Sequence, residues 1–344
     1  KIQSQEKPFV VVLDAGHGGH DSGNRGNGYY EKKIALNIAL KIGEILEKRK
    51  DFKIIYTRKT DVFVDLIERA NIANEADADL FISIHCDAFS SSKAYGAGTF
   101  VLGLHENERN FKVAQKENAV IFLEEDYEKK YDGFDPNDPE SVISLILMQE
   151  TYLDQSIDAA NTIQKSFVTN LSRKDRTVKQ AGFIVLKYTY MPSVLVETGF
   201  LTNPSEGSYL NSSKGQSNMA KAISKAIINY KKNREATFEI NNTITQIPKK
   251  DLPDKSVTDI FFKIQISASK NKIDLKPYNF RGLKPLSRSK FEKLYRYYFS
   301  ESLTYQDAKR KLKEAKSKGF ANAFIVAFDG DKKITISEAL ERLR

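Results

Sequence analysis

This chain of 344 residues contains a single cysteine, Cys86, so no disulfide can close within it and its cysteine usage says little about redox compartment. No stretch approaches twenty consecutive apolar residues, which excludes a membrane-spanning helix. The opening residues, KIQSQEKP, lack the apolar core of a secretion signal. Two expectations follow: a cytoplasmic protein, or one whose signal peptide lies outside this sequence. No internal repeat or low-complexity tract is present. What is there is a globular composition, with 40% hydrophobic residues for a packed core and a length that suits two domains.

Chemistry concentrates in short segments. LDAGHGG at 13–19, YYEKKIALNIA at 29–39 and SIHCDA at 83–88 carry His17, Glu31 and His85. Two imidazoles and a carboxylate form the ligand set of a catalytic zinc, which keeps a fourth position open for water. VLVETGFLTN at 194–203 adds Glu197, a carboxylate able to move that water's proton. PFVVVLD, ADLFISIHC and PSVLVET are β-branched apolar runs that read as buried strands, and His17, His85 and Glu197 stand at or just past their C-terminal ends. Sites in open α/β sheets are built along that edge. Glu31 opens a helix predicted over 31 to about 48, where Ile34, Ile38, Ile42 and Ile45 recur at helical spacing. Singly, His17 reads as a turn residue and Glu31 as a helix-start acid complementing the dipole. As a set on one sheet edge they read as a metal hydrolase. His20 is an alternative imidazole ligand and His105 is the remaining histidine. Thr198, Gly199 and Asn203 read as turn formers, and Cys86 as a packed thiol.

In this order the motifs resemble the zinc-dependent N-acetylmuramoyl-L-alanine amidases of the Amidase 3 family, over residues 8 to about 231. The likeness runs through VVLDAGHGG, the Glu31 segment, YTRKTDVFVDLIERANIANEADADLFISIHCDA, GFIVLKYTYMPSVLVETGFLTN and the closing helix. It implies an α/β fold, a mixed twisted sheet flanked by helices on both faces. It implies hydrolysis of the amide joining the lactyl group of N-acetylmuramic acid to the L-alanine of the peptide stem. One Zn2+ per chain would be held by His17, Glu31 and His85, with Glu197 as the catalytic carboxylate. Ala15 stands where many members carry proline and Cys86 where a small residue is common; neither is a ligand. About forty residues, beginning at His105, separate the strand GTFVLGL from a long helix predicted over 141–168. Family members that act in cell separation carry an insertion here whose helix blocks the active site. FKVAQKENAVIFLEE suits such a helix, and Glu117 matches the glutamate that reaches the zinc from it.

The catalytic domain is expected over 8–232, with the regulatory insertion at about 105–140. The helix SNMAKAISKAIINYKKN closes it, and a linker follows over 233–257, where periodicity lapses and Pro248 and Pro253 appear. Residues 258–344 form the second domain. It carries 20 Lys and Arg against 10 Asp and Glu, leaving the rest of the chain near −1 within a total of +9. Strands FFKIQIS, KLYRYYF and NAFIVAF, the amphipathic helix TYQDAKRKLKEAKSKGF ending at Gly319, and a short final helix SEALERL make a small α+β unit. Basic residues among tyrosines on a small sheet would suit single-stranded nucleic acid. FKIQIS, the aromatic strand and YQDAKRKLKEAKSKGF instead resemble a SPOR module, which binds septal peptidoglycan stripped of stem peptides; its usual first helix is shortened to KNKIDLKPYN. Gln265, Tyr295 and Tyr297 are the candidate glycan contacts, the two tyrosines sharing a face by strand alternation.

The whole reads as a periplasmic or secreted, monomeric, zinc-dependent amidase of the septal wall. It binds peptidoglycan and no nucleic acid, and an inserted helix holds it inactive until an activator protein displaces that helix. The rival readings are a zinc peptidase cutting within the stem, a non-catalytic glycan-binding or scaffolding protein, and a nucleic-acid-binding protein.

Overall fold

The computed structural model describes residues 7–103, 108–131, 133–138, 152–244, 260–291, 294–320, 323–334, 336, 339 and 342–343. The chain divides into two compact units at about residue 247.

The first unit is built on a six-stranded sheet of order β4-β1-β5-β8-β6-β7. Its strands are β1 (Phe9–Ala15), β4 (Phe52–Tyr56), β5 (Leu80–Asp87), β6 (Ala97–Leu102), β7 (Asp175–Ala181) and β8 (Ser193–Phe200). A two-residue hairpin, β2 (Arg25–Gly26) with β3 (Tyr29–Tyr30), precedes the first helix. Strands β4, β1, β5 and β8 run parallel; β6 is antiparallel to β8, and β7 pairs parallel with β6. The sheet is therefore mixed, as expected.

Alternation along each strand feeds two cores. Val11, Leu13, Ile82, Ile84, Val194 and Val196 face one, and Val10, Val12, Phe81, Phe100 and Leu195 face the other. That is why the runs read as continuously apolar: both faces are covered. Helices α1 (Glu31–Leu46), α5 (Leu153–Leu171) and α8 (Ser213–Ile244) cover the first face. Helices α2 (Leu66–Glu75), α3 (Glu108–Asn118) and α6 (Ile184–Lys187) lie over the second. A 3-10 turn (Ala119–Leu123) and α4 (Tyr127–Lys130) follow α3, and α7 (Pro204–Asn211) follows β8. Of the helix predicted over 141–168, the described part starts at Leu153; residues 139–151 lie outside the described residues. Helix α8 runs on to Ile244, into the stretch read as a linker, whose remainder also lies outside.

The second unit is a five-stranded antiparallel sheet of order β10-β11-β9-β12-β13. Its strands are β9 (Ile260–Ser269), β10 (Leu286–Phe291), β11 (Leu294–Ser302), β12 (Phe324–Asp329) and β13 (Lys332–Ile334). Helix α9 (Tyr305–Ser317), capped where Thr304 accepts the Asp307 N–H at 3.2 Å, packs through Ala308 and Ala315 on the core face. Strands β10 and β13 were not anticipated, being short and polar. The segment KNKIDLKPYN holds no α-helix, only the start of a 3-10 turn at Pro277–Phe280, because Pro277 lacks the N–H a helix interior needs.

Candidate metal centre

The loop after β1 crosses the sheet edge at close quarters. A Cβ on Gly16 would lie 2.5 Å from the His85 imidazole, so only glycine lets the chain pass beneath that ring. Gly23 has φ +61°, and a Cβ there would meet the His17 ring at 2.5 Å and Glu31 Oε2 at 2.7 Å. His17 itself is left-handed, φ 61°, an unfavourable conformation for a side-chain-bearing residue. Buried arginines hold the loop in that shape. Arg58 donates to the Ala15 and Gly16 carbonyls at 2.9 and 2.8 Å, and Arg69 to those of Ala15 and His17 at 2.8 and 2.9 Å. Arg69 also pairs with the fully buried Asp14 at 2.7 Å.

Each imidazole is oriented by a partner that decides which nitrogen faces the centre. Nδ1 of His17 lies 2.7 Å from Asp21 Oδ2; a carboxylate only accepts, so Nδ1 carries the proton and Nε2 keeps its lone pair. For His85 the chain of bonds is longer. The Ser83 hydroxyl donates to Asp14 Oδ2 at 2.6 Å, so at 3.0 Å it accepts from His85 Nε2, and Nδ1 is the nitrogen turned to the centre, where a cation would replace the proton it shares with Glu31 Oε1 at 3.1 Å. Partners of this kind are worth roughly 10–100-fold in metal affinity. Glu31, at the start of α1, completes the set: its Oε1 accepts from the Cys86 N–H and its Oε2 from the Asn24 N–H, each at 2.7 Å.

These atoms converge with a fourth. His17 Nε2 lies 3.1 Å from Glu31 Oε2, and His85 Nδ1 lies 3.1 Å from Glu31 Oε1. Glu117 Oε2, from α3, sits 3.2 Å from His17 Nε2 and 3.0 Å from His85 Nδ1. One donor atom from each of His17, Glu31, His85 and Glu117 falls within 4.8 Å of all the others, and all four residues are buried. His17 Nε2 and Glu117 Oε2 make no hydrogen bond. Lone pairs of nitrogen and oxygen turned toward one point with nothing between them describe a cation site, and a nitrogen–oxygen set of this kind fits zinc. Burial alone would lower the His17 pKa, but the charge of Glu31 and the hydrogen bond that Asp21 accepts from the ring raise it well above normal. The carboxylates around the centre thus attract positive charge, whether proton or metal.

Glu117 is carried there by α3, in a segment anchored at several points. Asn118 donates to the Gly182 carbonyl at 2.7 Å and accepts from the Ile184 N–H at 2.9 Å. Further on, Glu124 accepts from the Leu66 N–H at 2.9 Å and from the Tyr131 hydroxyl at 2.8 Å.

Glu197 lies on β8 directly beside His85 in the parallel register. It is buried, and neither carboxylate oxygen has a hydrogen-bond partner. Burial, reinforced by the charges of Asp87, Glu117 and Glu31, pushes its carboxyl well above the usual range. Burial also raises Asp87, to about 6, with Glu117 adding to it.

The remaining candidates fall elsewhere. His20 is exposed and stacks on Phe63, ring centroids 4.1 Å apart; it is not among the converging ligands. His105 lies outside the described residues. Cys86 is fully buried and its sulfur lies 3.1 Å from the Thr198 hydroxyl, a packed thiol. Asn203 caps α7, accepting from the Ser205 and Glu206 N–H groups. In the second unit Tyr295 and Tyr297 do share a face, but it is the face turned to the core: Tyr297 is fully buried and Tyr295 packs against the same cluster. Tyr297 is therefore no surface contact. Gln265 lies on the opposite face, buried between Tyr298 and Phe324 of the flanking strands, with Oε1 unpartnered. Sequence reasoning did not find Asp14, Asp21 and Ser83. The signals were spacing: Asp21 stands four residues past His17, and Ser83 shares a strand face with His85.

A family model for N-acetylmuramoyl-L-alanine amidases, Amidase 3, matches residues 11–229. The chain is 35% identical over 225 residues to the N-acetylmuramoyl-L-alanine amidase AmiA of Escherichia coli K12, covering 64% of this chain and 75% of that protein. It is 33% identical over 240 residues to the N-acetylmuramoyl-L-alanine amidase LytC of Bacillus subtilis, covering 67% and 38% respectively. Among solved structures, the N-acetylmuramoyl-L-alanine amidase of Clostridium difficile 630 aligns with a TM-score of 0.49 at 27% identity, over 65% of this chain and 96% of that one.

Proposed function

Because this chain belongs to the Amidase 3 family of N-acetylmuramoyl-L-alanine amidases, we propose that it hydrolyses the amide between the lactyl group of N-acetylmuramic acid and the L-alanine of the stem, using one zinc ion on His17, Glu31 and His85. The observation that carries the reading is the pair of histidines whose free lone pairs, set by Asp21 and Ser83, meet Glu31 at one point. When bound, the ion supplies Lewis acidity, polarising the amide oxygen and bringing the pKa of a water to roughly 7. Glu197 accepts the proton of the attacking water and delivers it to the departing nitrogen. Its burial and unpartnered oxygens raise its proton affinity, which favours taking the proton from the water. Mass spectrometry of muropeptides from digested sacculi tests the bond: free peptides beginning with L-alanine are expected, and peptides beginning at any later residue would instead indicate a stem peptidase.

Glu117 adds a fourth donor to His17, Glu31 and His85 and would take the place of a water there, so the reading includes an autoinhibited resting state, relieved when an activator protein draws α3 away. Such control fits an enzyme that splits septal wall during division, in the periplasm or outside the cell.

The second unit is read as a SPOR-like glycan-binding module. With Tyr297 in the core, the sugar-binding surface moves to the opposite face, where Phe261 and Phe328 stack with centroids 5.5 Å apart and Tyr298 meets Phe328 edge-on at 5.7 Å. Aromatic rings with Lys263 5.0 Å over Phe261 suit glycan stripped of stems. Residues 258–344 alone should pull down amidase-treated peptidoglycan in preference to intact peptidoglycan; equal recovery of the two removes the module reading.

A further inference from the structure

On the far side of Glu197 from the metal ligands, two cations share a cavity with the carboxyl groups of Asp87 and Glu197 without closing an ion pair to either. Lys179 and Arg176 both lie on β7, the edge strand. Among the described residues neither makes an ion pair. Arg176 donates one hydrogen bond, to the Tyr95 carbonyl at 3.1 Å, and its guanidinium lies 4.8 Å from the Phe200 ring centre. The Lys179 ammonium lies 5.0 Å from the Phe100 ring centre and feels the charges of Asp87 and Glu197. Both line a cavity with Asp87, Gly98 and Glu197, roofed by Arg109 of α3.

Gly98 explains how the lysine gets there. On β6 it is the register partner of Glu197, and a Cβ placed on it would come within 3.2 Å of Lys179 Nζ. The missing side chain lets the ammonium reach back over β6 toward the catalytic carboxylate. Burial, then the charges of Arg176 and Arg109, lower the Lys179 pKa to about 8 against the opposing pull of Asp87 and Glu197.

The strand order gives direction. Moving along the sheet edge one meets His85 on β5, Glu197 on β8, Gly98 on β6 and the cations of β7. If the metal holds the amide oxygen and Glu197 the nitrogen, the peptide leads on toward Lys179. One strand spacing, ~4.8 Å, separates Glu197 from the strand the ammonium overlies. In a stem whose second residue is a glutamate linked through its side chain, the free α-carboxylate lies roughly 5–7 Å from the scissile nitrogen, given 3.8 Å between consecutive Cα atoms.

We propose that Lys179 and Arg176 form an anion subsite that takes the free carboxylate of the second residue on the peptide side of the scissile amide. This rests on the amidase reading above and assigns it a specificity element. Two measurements on the full-length, zinc-loaded protein carrying Glu117→Ala, which frees the covering helix, test it. In the first, calorimetric binding of L-alanyl-D-isoglutamate and of its amidated counterpart L-alanyl-D-isoglutamine is compared. In the second, kcat/KM is compared for muropeptides bearing each. The carboxylate forms should be favoured about 10- to 100-fold, the worth of a charge-assisted hydrogen bond. Adding Lys179→Met should erase the preference by weakening the carboxylate ligand while leaving the amidated one nearly unchanged. No discrimination in binding, or discrimination that survives Lys179→Met together with Arg176→Met, overturns the subsite. Discriminating binding without cleavage of the muramoyl–alanine bond would overturn the amidase reading and leave the subsite standing.

Discussion

A Glu197→Gln protein should retain its zinc yet hydrolyse peptidoglycan about 10² to 10⁴ times more slowly, whereas His85→Ala should lose both metal and activity. The two residues are neighbours across one strand pair, so the contrast separates roles within a single neighbourhood. Glutamine keeps the shape of Glu197 and, since neither carboxylate oxygen is hydrogen-bonded, breaks no structural contact. It cannot accept the water's proton. Alanine at position 85 removes Nδ1 from the centre and also leaves the Ser83 hydroxyl and Asp14 without their third member. Metal content by mass spectrometry and turnover on purified sacculi check the pair. Near-normal turnover by a zinc-loaded Glu197→Gln protein would end its assignment as the proton-moving group.

Glu117→Ala should raise basal hydrolysis by on the order of tenfold or more and reduce the further stimulation an activator provides. Every 1.4 kcal/mol taken from the closed state shifts the open population about tenfold. An eleven-residue helix such as α3 is marginal alone, so its hold depends on what it touches. Without Glu117, the helix retains the Asn118 contacts and the packing of Ala114, so it should fray from the centre rather than unfold with the domain. Dye release from labelled sacculi reads the activity and circular dichroism the fold. Unchanged basal activity in a folded, zinc-loaded variant would rule out a blocking role for Glu117.

The parts of this site that were legible in the sequence are those whose residue type is scarce and whose local pattern is strong. With four histidines in the chain, two closing strand-like runs stand out, and Glu31 and Glu197 sit at fixed points of a helix start and a strand. What supports them was illegible for physical reasons. Asp14, Ser83 and Asp21 are ordinary polar residues whose value comes from pairing register, which brings Asp14 beside Ser83 across β1 and β5. Strand β7, with Lys179 and Arg176, went without assignment because it is an edge strand with one partner, so its sequence need not be apolar. In the second unit, alternation placed Tyr295 and Tyr297 together correctly but could not say which face the helix covers; α9 and the cluster around Phe262 decide that.

The two histidines present different nitrogens, and this has a consequence for reach. Nδ1 is one ring position closer to the main chain than Nε2, so His85 draws the centre down against the backbone of β5, while His17 spans the gap from its loop at full ring length. The floor of the site is then main chain: the Cys86 N–H on Glu31 and the bare Gly16 beneath the ring leave no depth for anything to approach from below. On the proposed reading, whatever exchanges at the centre would arrive where α3 brings in Glu117, and that one helix would govern substrate, water and metal alike.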